Sequence, residues 1–432
     1  MRYARGMGNL LLINEVAEIV GVSKDTIRRW AKKGLIKSSR SPNNHRLFCP
    51  AEIVRLKNKL ADGGNDSKYE ILKSRMSKYT ALELFSGCGG MALGFENAGL
   101  RNLATVEIDK YAAATLKLNR PKWNVLDRDI TELNNEKAFD SFRGKADIVA
   151  GGFPCQAFSY AGHSKGFGDP RGTLFFQLLK VVKATNPKIV IGENVKGLLK
   201  HDRGRTLGTI IRCLNDAGYN TTYRILRSQF LDVPQKRERL IIMGVHKSLD
   251  YPHLFPAEKD YTVNLRQALA SVPLSEGQSY PSKKYNIMKR VPAGGYWRDL
   301  PDELQRSYMG ASYFHEGGRT GMARRMSWDE PSLTLTCSPA QKQTERCHPD
   351  ETRPFTTREY ARIQTFPDEW KFYGSSNQVY KQIGNAVPVN LGYHLGRCLI
   401  AMLSGKTKVD WAEQQIPFDE NEKVEEQMRF TF

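Results

Sequence analysis

From residue 79 onward, short apolar runs alternate with stretches of helical periodicity. Residues 81–85, Ala-Leu-Glu-Leu-Phe, have the content of a buried strand and lead into Ser86-Gly87-Cys88-Gly89-Gly90. A helix is predicted over 91–98, a strand over 102–107 and a helix over 110–118. Strands at 146–150 and 188–191 are followed by helical stretches at 173–184 and 206–217, and 239–245 closes the series. Regular alternation of this kind predicts an α/β fold with a Rossmann-like doubly wound sheet.

The rhythm breaks over 246–345, which is rich in Pro, Gly, Tyr and Ser. A structureless loop of that length is uncommon in a compact domain, so the segment reads as a second, irregular domain. Residues 346–402 return to the regular pattern, with a final helix over 390–403, and 403–432 read as a charged peripheral tail. The first catalytic-type stretch is then 79–245, and 61–78 is a polar linker.

Residues 1–60 form a small module of their own. Leu12, Ile13, Val16, Ile19 and Val20 recur at helical spacing until Gly21. Ser23 is placed to cap a second helix over 24–33, and Gly34 to stop it. Ile27 and Trp30 face inward, while Lys24, Arg28, Arg29, Lys32 and Lys33 crowd the other faces. The turn Pro42-Asn43-Asn44-His45 leads into Arg46-Leu47-Phe48 as a short β wing, and Pro50 opens another helix towards Leu60.

Composition narrows the class. The 432 residues carry a formal charge of +19, which points to a polyanionic partner such as nucleic acid. Seven cysteines, none at Cys-x-x-Cys spacing, speak against a disulfide framework and a zinc ribbon. Cys337, Cys347 and His348 are too irregularly spaced for a metal site, so no metal is expected. No apolar run is long enough to span a membrane and no secretory signal opens the chain, so a cytoplasmic protein is expected.

Three turns hold candidate chemistry. The glycine turn after 81–85 is a nucleotide-type loop, and Glu107 and Asp129 end later segments where they can meet ribose hydroxyls and an adenine amino group. Nothing matches a Walker P-loop or the dinucleotide fingerprint. Gly151-Gly152-Phe153-Pro154-Cys155-Gln156 puts a thiol just beyond a strand end, where α/β enzymes hold reactive groups; taken singly, a cysteine is more often a packed apolar residue. Glu193-Asn194-Val195 ends another strand, with Glu193 facing the same crevice, capping a helix or standing as a surface acid. Gln235-Lys236-Arg237-Glu238-Arg239 precedes the last strand and by itself reads as a solvated charge run.

In order, these motifs resemble those of the bacterial DNA cytosine-5 methyltransferases. The resemblance adds Arg358-Glu359-Tyr360-Ala361-Arg362-Ile363-Gln364 and Gly384-Asn385-Ala386-Val387-Pro388, and it covers 79–402. It implies an S-adenosylmethionine-dependent methyltransferase fold and cofactor. Phe85, Gly87, Gly89, Glu107, Ile108, Asp129, Ile130, Gly152, Pro154, Leu174, Asn385 and Ala386 would line its pocket. Cys155 would attack C6 of a flipped-out cytosine, with Glu193, Arg239 and the supporting Arg237 at the base. Gln156, Ser159 and Arg171 would touch DNA, and the glycine-containing segment from Ser159 to Arg171 would be a loop that closes over the duplex. The segment 246–345 would be the target-recognition domain, with Tyr296, Trp297, Arg298, Arg319, Arg324 and Arg325 as candidate DNA contacts. The resemblance also implies double-stranded DNA as partner, a restriction-modification setting with a separate endonuclease on the same site, and a monomer in catalysis.

Residues 13–53 resemble the winged helix-turn-helix of the MerR-like regulators, on Glu15-Val16-Ala17, Gly21-Val22-Ser23, Thr26 to Trp30, Gly34-Leu35-Ile36, Arg46 and Phe48. Lys24, Arg28, Arg29 and Arg46 would then meet DNA. The regulators' long dimerisation helix is missing, which puts dimerisation through this module in doubt. Three uses fit: repression of the enzyme's own promoter, added DNA affinity in catalysis, or a protein–protein module. Two other readings of the whole chain are a regulator with a dead methyltransferase fold, and an RNA methyltransferase of the transfer-RNA-directed branch, whose Cys-Phe-Thr signature is absent.

Overall fold

A computed structural model describes residues 10–20, 24–32, 36–41, 43–50, 52–53, 69–153, 174–314 and 319–415. Its contacts divide the chain into two compact units, Glu70–Thr262 with Gln364–Phe432 and Met1–Tyr69 with Val263–Ile363.

The larger unit is built on a seven-stranded sheet. Its strands are β1 (Thr80–Leu84), β2 (Arg101–Val106), β3 (Val125–Leu126), β4 (Ile148–Gly151), β5 (Ile189–Val195), β6 (Tyr219–Arg227) and β7 (Glu238–His246). They lie in the order β3-β2-β1-β4-β5-β7-β6. The first five are parallel. β7 inserts antiparallel between β5 and β6. A parallel pair needs a crossover element, and no helix of crossover length lies between β6 and β7, so the chain runs back beside itself.

Both faces of the sheet are covered, which is why its central strands β1, β4 and β5 read as near-continuous apolar runs. In β4, Val149 faces one core while Ile148 and Ala150 face the other. Helices α3 (Ile130–Asn135), α4 (Leu174–Thr185) and α5 (Arg205–Asp216) supply the first core. Helices α1 (Gly90–Ala98) and α7 (Val389–Leu403) supply the second. Helix α2 (Lys110–Asn119) follows β2, and α6 (Ser376–Asn385) precedes α7.

Helices α1 and α7 come close because each offers glycine where they cross. A Cβ on Gly94 would lie 2.4 Å from the Val389 carbonyl oxygen and 2.7 Å from Gly392 Cα. On Gly90 it would lie 2.0 Å from the Val387 carbonyl oxygen. The return segment is thereby clamped against the helix that follows the glycine turn.

The unit boundaries fall outside 246–345 on the C-terminal side and inside it on the N-terminal side. Residues 246–262 stay with the sheet because His253–Pro256 pairs with Ala412–Gln415, a strand within the expected tail. Residues 346–363 stay with the smaller unit, where helix Thr357–Ile363 packs against helix Leu265–Leu269.

Two cores stand out among the described residues of the smaller unit. One is N-terminal: Val16, Ile27, Trp30, Ile36, Phe48 and Ile53. It joins helices Ile13–Val20 and Lys24–Lys32 to a three-stranded sheet in which Arg46–Phe48 lies between Leu11–Leu12 and Ser39–Arg40. Most of the helix expected towards Leu60 lies outside the described residues.

The second core gathers Tyr280, Met288, Tyr296, Trp297, Tyr308 and Met322. Tyr296 and Trp297, expected at DNA, are therefore interior residues. Arg325 is also buried and donates to the carbonyls of Met288, Val291, His348, Pro349 and Glu351 and to Thr352 Oγ1. Such an arginine satisfies the backbone of converging loops and has no donor left to read a base. Arg298 is exposed, and Arg319 donates to the Ser312 carbonyl.

Candidate active site

The site lies at the C-terminal ends of the parallel strands, where open α/β sheets present ligands with a crevice. Just after β1, Phe85 has a φ of +57°, a left-handed conformation that is unusual for an aromatic residue. Gly87 and Gly89 follow, also left-handed. A Cβ on Gly87 would meet nothing within 4 Å, so the loop borders open space. Glu107, at the end of β2, ties the loop down. Its Oε2 accepts from the Gly87 amide at 2.7 Å and its Oε1 from the Asp109 amide at 2.7 Å. Burial raises the Glu107 carboxyl above its ordinary value, against those two hydrogen bonds.

Beside Glu107, Ile108 leaves an apolar side chain 66% exposed. Asp129 caps α3, its Oδ1 accepting from the Thr131 amide at 2.6 Å. Ile130 is buried in the core, and Leu174 is half-buried at the start of α4. Asn385 is exposed at the end of α6, and Ala386 is buried beside it.

Glu193 and Arg239 meet across the β5–β7 pair. Arg239 stands opposite Val195, and Glu193 opposite Ile241, so the two side chains share a face on a diagonal. Arg239 Nε lies 2.6 Å from Glu193 Oε1, with both side chains 12% exposed. A Cβ on Gly152 would come within 2.9 Å of Glu193 Oε2. The glycine thus lets the backbone leading to Pro154 and Cys155 pass beside the carboxylate. Asn194 holds the same backbone from the other side, its Nδ2 donating to the Phe153 carbonyl at 2.9 Å. Pro154, Cys155, Gln156, Ser159 and Arg171 lie outside the described residues.

The family model for C-5 cytosine-specific DNA methylases matches residues 79–401. The chain belongs to that family. It is accordingly a DNA methyltransferase. The methylase is 52% identical over 403 residues to the Type II methyltransferase M.Eco47II of Escherichia coli, covering 90% of this chain and 95% of that one. It is 48% identical over 406 residues to M.PspPI of a Psychrobacter strain, covering 91% and 96%. Among solved structures, an E. coli prophage protein provisionally described as a DNA modification methyltransferase superposes with a TM-score of 0.56 at 23% identity, over 76% of this chain and 99% of that one. Residues 12–48 match the MerR family of regulatory proteins.

Gln364, Gln235 and Asn194 are buried side chains that their chemistry did not single out in the sequence. Gln364 Nε2 donates to the carbonyls of Ile383 and Ala386, at 2.7 and 3.1 Å. Gln235 Nε2 donates to Gln364 Oε1 at 2.9 Å. Arg237, also buried, donates from Nη2 to the Gly384 carbonyl at 3.0 Å. Arg237 thus fixes the Gly384-Asn385-Ala386 turn, while Arg239 pairs with Glu193. Polar residues next to strand ends were the available signal, but their partners are remote in sequence.

Lys24 and Arg28 are exposed on their helix, and the Arg29 side chain lies outside the described residues. Arg46 Nη1 donates to Ser38 Oγ at 3.2 Å.

Glu83 in β1 is a buried acid that the chemistry leaves unassigned. Burial, then the charges of Glu107 and Glu193, hold its carboxyl well above the ordinary range. The sign follows from linkage: a raised carboxyl favours the fold while protonated, and that contribution is lost as pH rises from about 4.3 through the folded value. Glu83→Gln keeps the shape without the charge. Its melting temperature relative to wild type is expected to be higher at pH 8 than at pH 5. Thermal unfolding at the two pH values checks this, and an equal difference at both would refute it.

Proposed function

We propose that this methylase transfers a methyl group to carbon 5 of cytosine within one duplex sequence, with Cys155 as nucleophile. Its Type II relatives further support a place as the modification partner of a restriction endonuclease that acts separately on the same site. The observation that carries the reading is the Glu193–Arg239 ion pair beside Gly152, three residues before Cys155 in the chain. Burial pushes the thiols of Cys88, Cys213, Cys347 and Cys398 up, which makes them packing residues and poor nucleophiles.

Carbon 5 of cytosine is a weak nucleophile until C6 is attacked. The Cys155 thiolate forms a bond to C6, and the displaced electron pair makes C5 enamine-like. Glu193 hydrogen-bonds the ring at N3, where charge develops, and Arg239 holds Glu193 in place while facing the O2 side. Loss of the C5 proton and departure of Cys155 then restore the aromatic ring. This access requires the base to leave the helical stack. S-adenosylmethionine, when bound, supplies the electrophilic methyl group. The residues present fit it: Gly87 opens onto free space, Glu107 suits ribose hydroxyls, and Ile108 and Phe85 offer apolar surface to a base. Gly152, Asn385 and Ala386 complete that side of the pocket in this reading, and Asp129 stands at its adenine end.

The segment around the Tyr296–Trp297 core would recognise the target sequence. The N-terminal module would bind DNA, with repression of its own promoter as one use. Bisulfite sequencing of DNA from cells expressing the chain is expected to show full cytosine methylation at one short sequence. Unmodified DNA together with labelled RNA in a methyl-transfer assay would overturn the reading.

A further inference from the structure

Within the smaller unit, a cleft of about 710 Å³ is lined by Arg28, Arg40, His45 and Arg46 of the N-terminal module and by Thr320 and Arg324 of the 263–363 segment. No carboxylate is among the described residues that line it. Arg40 bonds the Asn44 side chain and Arg46 the Ser38 hydroxyl, so their hydrogen-bond partners are neutral. The arginines come from two separate cores, one around Trp30 and Phe48, the other around Tyr296 and Trp297.

We propose that Arg28, Arg40 and Arg46 hold the sugar-phosphate backbone of the same duplex whose cytosine is methylated, so that the N-terminal module is part of the methylation complex. This rests on the DNA methyltransferase reading above. Charge complementarity names the occupant. A cleft whose described lining holds four arginines and no carboxylate suits a polyanion, and a chain of +19 acting on DNA meets that polyanion in every turnover. Charges spread over two cores track an extended backbone and would surround a compact anion poorly. Guanidinium groups bind phosphate oxygens in pairs, and each neutralised phosphate releases counterions.

The test uses the full chain and the triple variant R28A/R40A/R46A on two duplexes with one central target site, 12 and 40 base pairs long. Each phosphate contact contributes about 0.9 to the slope of log affinity against log salt. Between 50 and 200 mM salt, wild type on the long duplex is therefore expected to lose about 40-fold more kcat/KM than the variant. The advantage of the long over the short duplex should also shrink in the variant. The variant R28K/R40K/R46K, which keeps charge, should retain most of the wild-type slope. An unchanged slope, or an equal loss on both duplexes, would overturn the proposal. So would a variant that binds the long duplex less tightly by fluorescence anisotropy yet methylates it as wild type does, because the module would then engage separate DNA. A chain that binds the long duplex with the expected slopes but transfers no methyl group would retire the catalytic reading and leave only the phosphate contacts of Arg28, Arg40 and Arg46 standing.

Discussion

Cys155→Ser is expected to transfer no detectable methyl group to DNA while still binding the target duplex. The loss should be on the order of 10⁴-fold or more, because the reaction has no alternative nucleophile for C6. A hydroxyl is far less acidic than a thiol, so serine offers almost no anion at neutral pH. Glu193 and Arg239 do not replace it, since they act on charge that appears only after attack. Their ion pair and the Asn194 bond to Phe153 are intact without the thiol, which is why DNA binding should survive. Labelled methyl transfer and electrophoretic mobility shift, measured on one preparation, separate the two properties. Full methylation by the serine variant would remove Cys155 from the mechanism.

Gly94→Val is expected to destabilise the larger unit by about 3 kcal/mol or more, as overpacking at a helix crossing does. The new Cβ would lie 2.4 Å from a carbonyl oxygen and 2.7 Å from Gly392 Cα, and both neighbours are backbone atoms that cannot rotate away. At roughly 2–4 °C per kcal/mol for a unit of this size, the melting temperature should fall by about 6–12 °C. Gly208→Ala is the matched control. Gly208 is also helical, in α5, but a Cβ there meets nothing within 4 Å. That change should raise stability, by up to about 1 kcal/mol, through helix propensity. Equal behaviour of the two variants in thermal unfolding would show that α1 and α7 do not depend on their close approach.

Much of the sheet was legible before any coordinates. β1, β4 and β5 are buried on both faces, so their apolar runs needed no tertiary information to find. β6 was missed because Asn-Thr-Thr-Tyr-Arg carries no such run, although it pairs with β7 along its whole length. The recognition-segment residues failed for a different reason. Tyr296, Trp297 and Arg325 have the composition of an interface, and an aromatic or arginine looks the same in sequence whether it faces water or fills a core. Arg325 became interior only because loops from Met288 to Thr352 turn their carbonyls towards it.

The sequence by itself pointed to the class of enzyme through a resemblance: the glycine turn, Pro154-Cys155-Gln156, Glu193-Asn194-Val195 and Gln235 to Arg239 stand in the order found in the DNA cytosine-5 methyltransferases. Each motif is local: strand ends and tight glycine turns are short-range properties. Only the tertiary structure decided which arginine meets Glu193 and which fixes the return segment. It also decided that Glu83 is held as a buried acid, and that Gln235 and Gln364 bond across 129 residues. Those outcomes depend on register and on helix approach, which no window of sequence contains.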